Sequence, residues 1–338
     1  MSLLELHGVA VRYRLAGKGS YLMAVDGVDF TLGEHEMLGL VGESGCGKTT
    51  LGRAILRLVP LHAGELRWRG QRIDTLGPRA FRPLRRELQC VFQDPHACLD
   101  PRMTILESVA EPLRSLDRQS PSAERASRAQ ERLDEVGIAP DLAARYPHQL
   151  SGGQLQRAVI ARALVVDPRF VVCDEPVSAL DVTVQDQIVS LLERIRSERG
   201  LASLFISHNL AVVARLCERV MVMYRGRIVE AGGRGAITTA PLHPYTRELL
   251  DAVPGVDAGA RARLLRRIAH PRPAVSDAVP DNAVPVAGCA FANRCPHVLA
   301  RCRVERPPLQ PAAAARLVAC HRASEWPEGL PEPGVSAN

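Results

Sequence analysis

Through its first 250 residues the chain alternates short apolar runs with stretches of helical periodicity. Met37–Val41 (MLGLV) is one such run and leads into a glycine; a helix-like stretch extends from Lys48 to Leu58. Phe170–Cys173 (FVVC), Ser203–Ile206 (SLFI) and Val220–Tyr224 (VMVMY) are further runs, and after the last come a turn at Gly226 and the pair Ile228-Val229. Runs without polar alternation predict strands covered on both faces. Interleaved with helices, they predict a mainly parallel α/β sheet. Between Gln93 and Gln149 no strand-like run occurs. Ser120 reads as an N-cap, Pro121 as the first helical position and Gly137 as a stop, so a helical insertion is predicted at about residues 94–157.

Beyond about residue 250 the pattern breaks. The last 88 residues hold 12 of the 25 prolines, with one helix-like patch at Ala260–Ile268. Such a segment builds no large core by itself and needs a staple, and the tail after Trp326 has the composition of a disordered end. The expected division is therefore 1–250 and 251–338, with no internal repeat.

Composition narrows the class. Hydrophobic residues are 46% and charged residues 24% of 338, which predicts a soluble globular chain. No apolar stretch approaches 18 residues, so no spanning helix is predicted. Met1–His7 lacks a basic region followed by an apolar core, so a cytosolic chain is expected. A net charge of +6 permits an anionic ligand or membrane surface and does not call for nucleic acid. Of the 43 basic residues only Lys18 and Lys48 are lysines, a bias that singles out Lys48. Nine cysteines in a reducing compartment argue against disulfides. Cys46, Cys90, Cys98, Cys173 and Cys217 are scattered and read as core or loop residues.

Gly42-Glu43-Ser44-Gly45-Cys46-Gly47-Lys48-Thr49-Thr50 fits the P-loop pattern G-x-x-x-x-G-K-[ST], between an apolar strand and a helix. Its glycines let backbone N–H groups curl around phosphate oxygens, and the helix N-terminus adds partial positive charge. Lys48 is expected to reach the β- and γ-phosphates, and the Thr49 hydroxyl to ligate Mg²⁺. The strand Phe170–Cys173 runs into Asp174 and Glu175. Asp174 is expected to hold Mg²⁺ through water, and Glu175 to take a proton from the attacking water.

Leu150-Ser151-Gly152-Gly153-Gln154, upstream of that acidic strand, resembles the signature sequence of the ATP-binding cassette (ABC) superfamily. Ser178-Ala179-Leu180-Asp181 resembles its D-loop, Ser207-His208 its switch histidine and Gln93 its Q-loop, which also meets Mg²⁺. Tyr13 stands where the family stacks an aromatic ring on adenine. The resemblance covers residues 1 to about 250. It implies a P-loop NTPase fold with a helical subdomain. It also implies two cassettes closing around two ATP molecules, with Ser151, Gly153 and Gln154 and the D-loop Asp181 at the shared nucleotide sites. Glu175 would polarise water, His208 would steady the γ-phosphate, and the Gln93 region would move against a membrane subunit.

Leu99-Asp100-Pro101-Arg102, Glu175–Val182, Val222–Glu230 and Pro241–Thr246 resemble the ATPases of dipeptide, oligopeptide and nickel importers, the "F" type more than the "D" type. That implies a paired D-type ATPase, two permease subunits, an extracytoplasmic binding protein and a place on the cytoplasmic face of the membrane. Asn209 stands where aspartate is usual, and Cys98-Leu99-Asp100 where Ser-Leu-Asn is usual. A DNA-repair type cassette would carry long coiled-coil arms before the signature, and none is present.

Cys289, Cys295, Cys302 and Cys320 are spaced C-x5-C-x6-C-x17-C. The spacing alone leaves zinc, an iron–sulfur cluster and no metal all open. Gly288–Pro296 resembles the C-terminal segment of peptide-importer ATPases, which implies a small Cys-rich domain and a [4Fe–4S] cluster.

Overall fold

The computed structural model describes residues 2–15, 20–117, 119–252, 287–312, 315–326 and 329–330. Among them the strands are β1 (Ser2–Arg14), β2 (Tyr21–Gly33), β3 (Met37–Val41), β4 (Ala63–Trp68), β5 (Gln71–Arg72), β6 (Leu88–Val91), β7 (Phe170–Asp174), β8 (Ala202–Ser207), β9 (Arg219–Tyr224), β10 (Arg227–Gly233), β11 (Gln310–Ala312) and β12 (Arg316–Val318). In the larger sheet β6, β7, β8, β3 and β9 lie side by side in parallel. β10, β12 and β11 continue it antiparallel, so this sheet is mixed.

Burial explains the apolar runs. Leu38 and Leu40 of β3 enter one core with Leu204 and Ile206 of β8. Met37 and Val41 enter a second core on the other face, with Phe205 and the helices Gly152–Leu164 and Val182–Arg199. With both faces covered, no polar alternation survives.

The first core is closed by an antiparallel sheet, ordered β2–β1–β4–β5, which the apolar runs do not reveal. In β2, Val28, Phe30 and Leu32 are buried while Asp29 and Thr31 are exposed. In β1 the register shifts between Leu6 and Val9, and Gly8 N–H donates to Asp29 Oδ1 at 2.7 Å. The shift interrupts the period-two pattern by which a half-buried strand is recognised.

Between β6 and β7 the secondary structure is helical, and the last helix runs to Leu164, past the expected boundary near 157. The helix Ile105–Leu116 opens on a Thr104–Glu107 capping box. The next helix starts one residue later than expected. Pro121 is itself the N-cap with extended ψ, the helix is Ser122–Glu135, and Ser120 Oγ donates to Asp117 Oδ2 instead. Gly137, at φ +78°, ends it as predicted.

The C-terminal segment borrows its core. β12 pairs with β10, and Phe291 packs against Tyr224 and Tyr245 in the second core. Past Trp326, where composition predicts a disordered end, Leu330 is buried and its N–H donates to Pro241 O at 3.0 Å. The patch at 260–268 and residues 331–338 lie outside the described residues. Glu230 of β10 is fully buried and accepts the N–H groups of Leu242 (2.9 Å) and His243 (3.0 Å), with Arg316 of β12 at 3.8 Å.

His243 is also buried, and its Nδ1 accepts Tyr245 N–H at 3.1 Å, capping the helix Pro244–Asp251. Burial pushes the imidazole from 6.5 down to about 3. In that window the unfolded chain binds a proton that the folded chain refuses. Stability is therefore present above pH 6.5 and is lost as pH falls toward 3. In His243→Asn an amide oxygen replaces the capping nitrogen and does not titrate. Its unfolding midpoint should depend less on pH across this window than that of wild type, and equal slopes in urea titrations would refute the assignment.

Candidate functional site

The chain leaves β3 at Val41 and turns through Gly42–Gly47 into the helix Lys48–Ile55. Two glycines are required by contact. A Cβ at Gly42 would lie 2.2 Å from Met223 O, and one at Gly47 (φ +108°) would lie 2.1 Å from Ala24 O. Lys48 is only 4% exposed, and its Nζ donates to Gly42 O (2.7 Å) and Glu43 O (2.9 Å). Nζ also stands 3.8 Å from Glu175 Oε1. A compact ammonium on a flexible stem fits this cage, and a planar guanidinium would not. Ser44 and Gly45 form the outer arc, Cys46 is buried within it, and Thr50 lies in the first helical turn.

Thr49 Oγ1 donates to Asp174 Oδ1 at 2.9 Å, joining the loop to the end of β7. Burial holds the Asp174 carboxyl above its usual range, partly countered by that hydrogen bond. A divalent cation at such a pair supplies the positive charge that burial otherwise withholds from a carboxylate.

Glu175 comes next at φ +47°, a left-handed conformation unusual for a residue with a side chain. Its N–H donates to Ile206 O at 3.0 Å. Gln93 Nε2 donates to Glu175 Oε2 at 3.4 Å, and His208 Nδ1 lies 3.2 Å from the same oxygen. These residues lie just beyond the adjacent strands β6, β7 and β8, so three carboxyl-terminal strand ends meet at one carboxylate. With Glu43, Ser44 and Ser178 they line a cleft of about 540 Å³.

Other predicted residues do not line that cleft. Ser151 and Gln154 form a capping box on the helix Gly152–Leu164, with Ser151 N–H donating to Gln154 Oε1 at 2.9 Å. A Cβ at Gly153 would strike Val184 at 2.6 Å. Asp181 caps the helix Val182–Arg199, accepting Val184 N–H at 2.9 Å. Tyr13 lies on β1, 37% exposed.

Residues 25–178 match the ABC transporter family, and residues 229–302 match the oligopeptide/dipeptide transporter C-terminal region. A Bacillus subtilis chain named as an oligopeptide transport ATP-binding protein, YkfD, is 43% identical over 95% of each chain. The chain belongs to the ABC transporter ATP-binding proteins. A Brucella ovis member named as a peptide import ATP-binding protein is also 43% identical, over 95% of this chain and 98% of its own length. The dimeric cassette MJ0796, solved after hydrolysis with ADP and Pi, superposes with a TM-score of 0.63. It is 30% identical and matches over 68% of this chain and 98% of its own. CbiO1 from Clostridium perfringens, part of the cbiONQ ABC transporter complex, gives a TM-score of 0.61 at 25% identity, over 70% of this chain and 90% of its own. This ABC ATPase has, among the described residues, no helix long and apolar enough to cross a membrane.

The cysteine expectation finds no support in the arrangement of the side chains. Burial pushes the Cys295 thiol up to about 12 and Cys320 to about 11. Among the described residues no three His, Cys, Asp or Glu side chains stand together as metal ligands.

Sequence patterns do not single out Tyr245 and Arg294, which hold Glu43 from outside the loop. Tyr245 Oη accepts Glu43 N–H at 2.7 Å. The signal is faint: Arg294 lies within the cysteine phrase, 251 residues from its partner.

Glu175→Gln keeps the shape that Gln93 and His208 contact and removes the carboxylate expected to act as the base. Turnover should fall at least about 100-fold with MgATP affinity nearly unchanged, as for loss of a general base. Single-turnover hydrolysis and equilibrium ATP binding on the same preparation would check both halves.

Proposed function

We propose that this chain energises import of di- or oligopeptides as the F-type ATPase of an ABC transporter. The observation that carries this reading is the match of residues 229–302 to the oligopeptide/dipeptide transporter C-terminal region, together with relatives named for peptide import. Nickel or another small solute is the alternative cargo. The chain would work with a D-type ATPase, two permease subunits and an extracytoplasmic binding protein, docked peripherally at the cytoplasmic face. Residues 1–250 form the ATPase unit and 251–338 the importer-type segment.

Lys48 and the loop amides bind the triphosphate of ATP, and Tyr13 stacks on adenine. Thr49, Gln93 and Asp174 would hold Mg²⁺, which would neutralise charge on the phosphates. Glu175 accepts the proton of the attacking water, and His208 donates to the γ-phosphate as its charge grows. The contact of both Gln93 and His208 with one Glu175 oxygen supports this division of labour. Ser151, Gly153, Gln154 and Asp181 would meet nucleotide across a dimer of cassettes.

The four thiols would hold a [4Fe–4S] cluster that orders the proline-rich segment. The sequence resemblance supports this reading, and the thiols must draw together to ligate the cluster.

Uptake of labelled dipeptides, oligopeptides and nickel is the test, in cells carrying wild type or Glu175→Gln. Peptide uptake should stop in the variant with nickel uptake unchanged, and the converse result would move the assignment to nickel. Anaerobically purified chain should be brown, with absorbance near roughly 400 nm. Colourless protein with stoichiometric zinc would sink the cluster. Cys302→Ser should loosen the C-terminal segment and leave ATP binding largely intact.

A further inference from the structure

The C-terminal segment reaches the phosphate loop through one side chain. Arg294 Nη1 donates to Glu43 Oε2 at 2.8 Å and Nη2 to Glu43 Oε1 at 2.7 Å, a two-pronged fork. Nη2 also donates to Glu248 Oε1 at 2.6 Å. The guanidinium lies 5.4 Å from the Phe291 ring centroid, 5.7 Å from that of Tyr224 and 5.9 Å from that of Tyr245. Glu43 is thus held twice from outside its loop, by its carboxylate on Arg294 and by its N–H on Tyr245.

Glu43 sits at an awkward place for an acid. It is the second residue of the phosphate loop and lines the cleft with Ser44 and Glu175. A free carboxylate there adds like charge beside an incoming triphosphate, and the penalty grows as water is excluded. A forked guanidinium cancels that charge and fixes the carboxylate's direction.

We propose that Arg294 is a positioning residue for nucleotide binding: it neutralises and orients Glu43 so that the phosphate loop accepts ATP. The proposal rests on the ATP site alone and not on the cargo, so a failed uptake experiment leaves it untouched.

The test is a double-mutant cycle on the purified full chain, read as the Kd for MgATP. Arg294→Ala should weaken binding about tenfold, the scale of one charge-assisted fork. In a Glu43→Gln background the same change should cost clearly less, because the Glu43 charge is gone and only Glu248, which also lines the cleft, is left bare. The wild-type-background loss should also shrink as salt is raised, since Glu43 is 42% exposed. If Arg294 only ties the segment down through Glu248 and the three rings, the loss will be equal in both backgrounds and insensitive to salt, and the proposal falls. Should Arg294→Ala fail to fold, Arg294→Gln keeps part of the stem against the rings and runs the same cycle. Equal losses there overturn it too.

Discussion

Two backbone carbonyls, those of Ala24 and Met223, occupy the space that side chains at Gly47 and Gly42 would need. Ala24 belongs to the antiparallel sheet and Met223 to the mixed one. The phosphate loop is therefore wedged between the two sheets, and its curvature is set by both. Gly226 adds to the wedge, donating its N–H to Cys46 O at 2.8 Å and accepting Asp26 N–H at 2.8 Å. A shift of either sheet would be felt at the lysine cage, because no side chain lies between to absorb it.

Several residues singled out for nucleotide chemistry also do ordinary structural work. Ser151, Asp181 and Asn209 each begin a helix by accepting a backbone N–H. Asn209 illustrates why its departure from aspartate is harmless here: its Oδ1 accepts Ala211 N–H at 2.9 Å, which a carboxamide does as well as a carboxylate. A capped helix start leaves the rest of its first-turn N–H groups facing outward, which suits an anion brought from elsewhere.

The parallel strands and the loop chemistry are legible in the sequence because their signals are local. Met37–Val41 is apolar at every position since both its faces are covered, and Gly42–Thr50 carries its motif within nine residues. The antiparallel sheet is harder to read, because a register shift at Gly8 breaks the alternation of β1. The Pro121 boundary is displaced by one residue, since Ser120 bonds Asp117 and leaves Pro121 to take the N-cap position with no side-chain cap. The Arg294–Glu43 fork is barely legible. Nothing in a linear pattern joins an arginine among cysteines to a glutamate in a phosphate loop. The cysteines announce a ligand set, and among the described residues no such set is assembled.

β12 lies along β10, with Arg316 and Glu230 buried beneath the seam. Most of the sequence needed for ATP chemistry precedes residue 250, which invites treating the C-terminal segment as an accessory. The pairing argues otherwise. A chain cut after Asp251 would bare the outer edge of β10 and leave Glu230 without its arginine. An open strand edge beside an uncompensated buried acid is a template for self-association. The shortened cassette would then be limited by solubility before its catalysis could be compared with that of the whole chain.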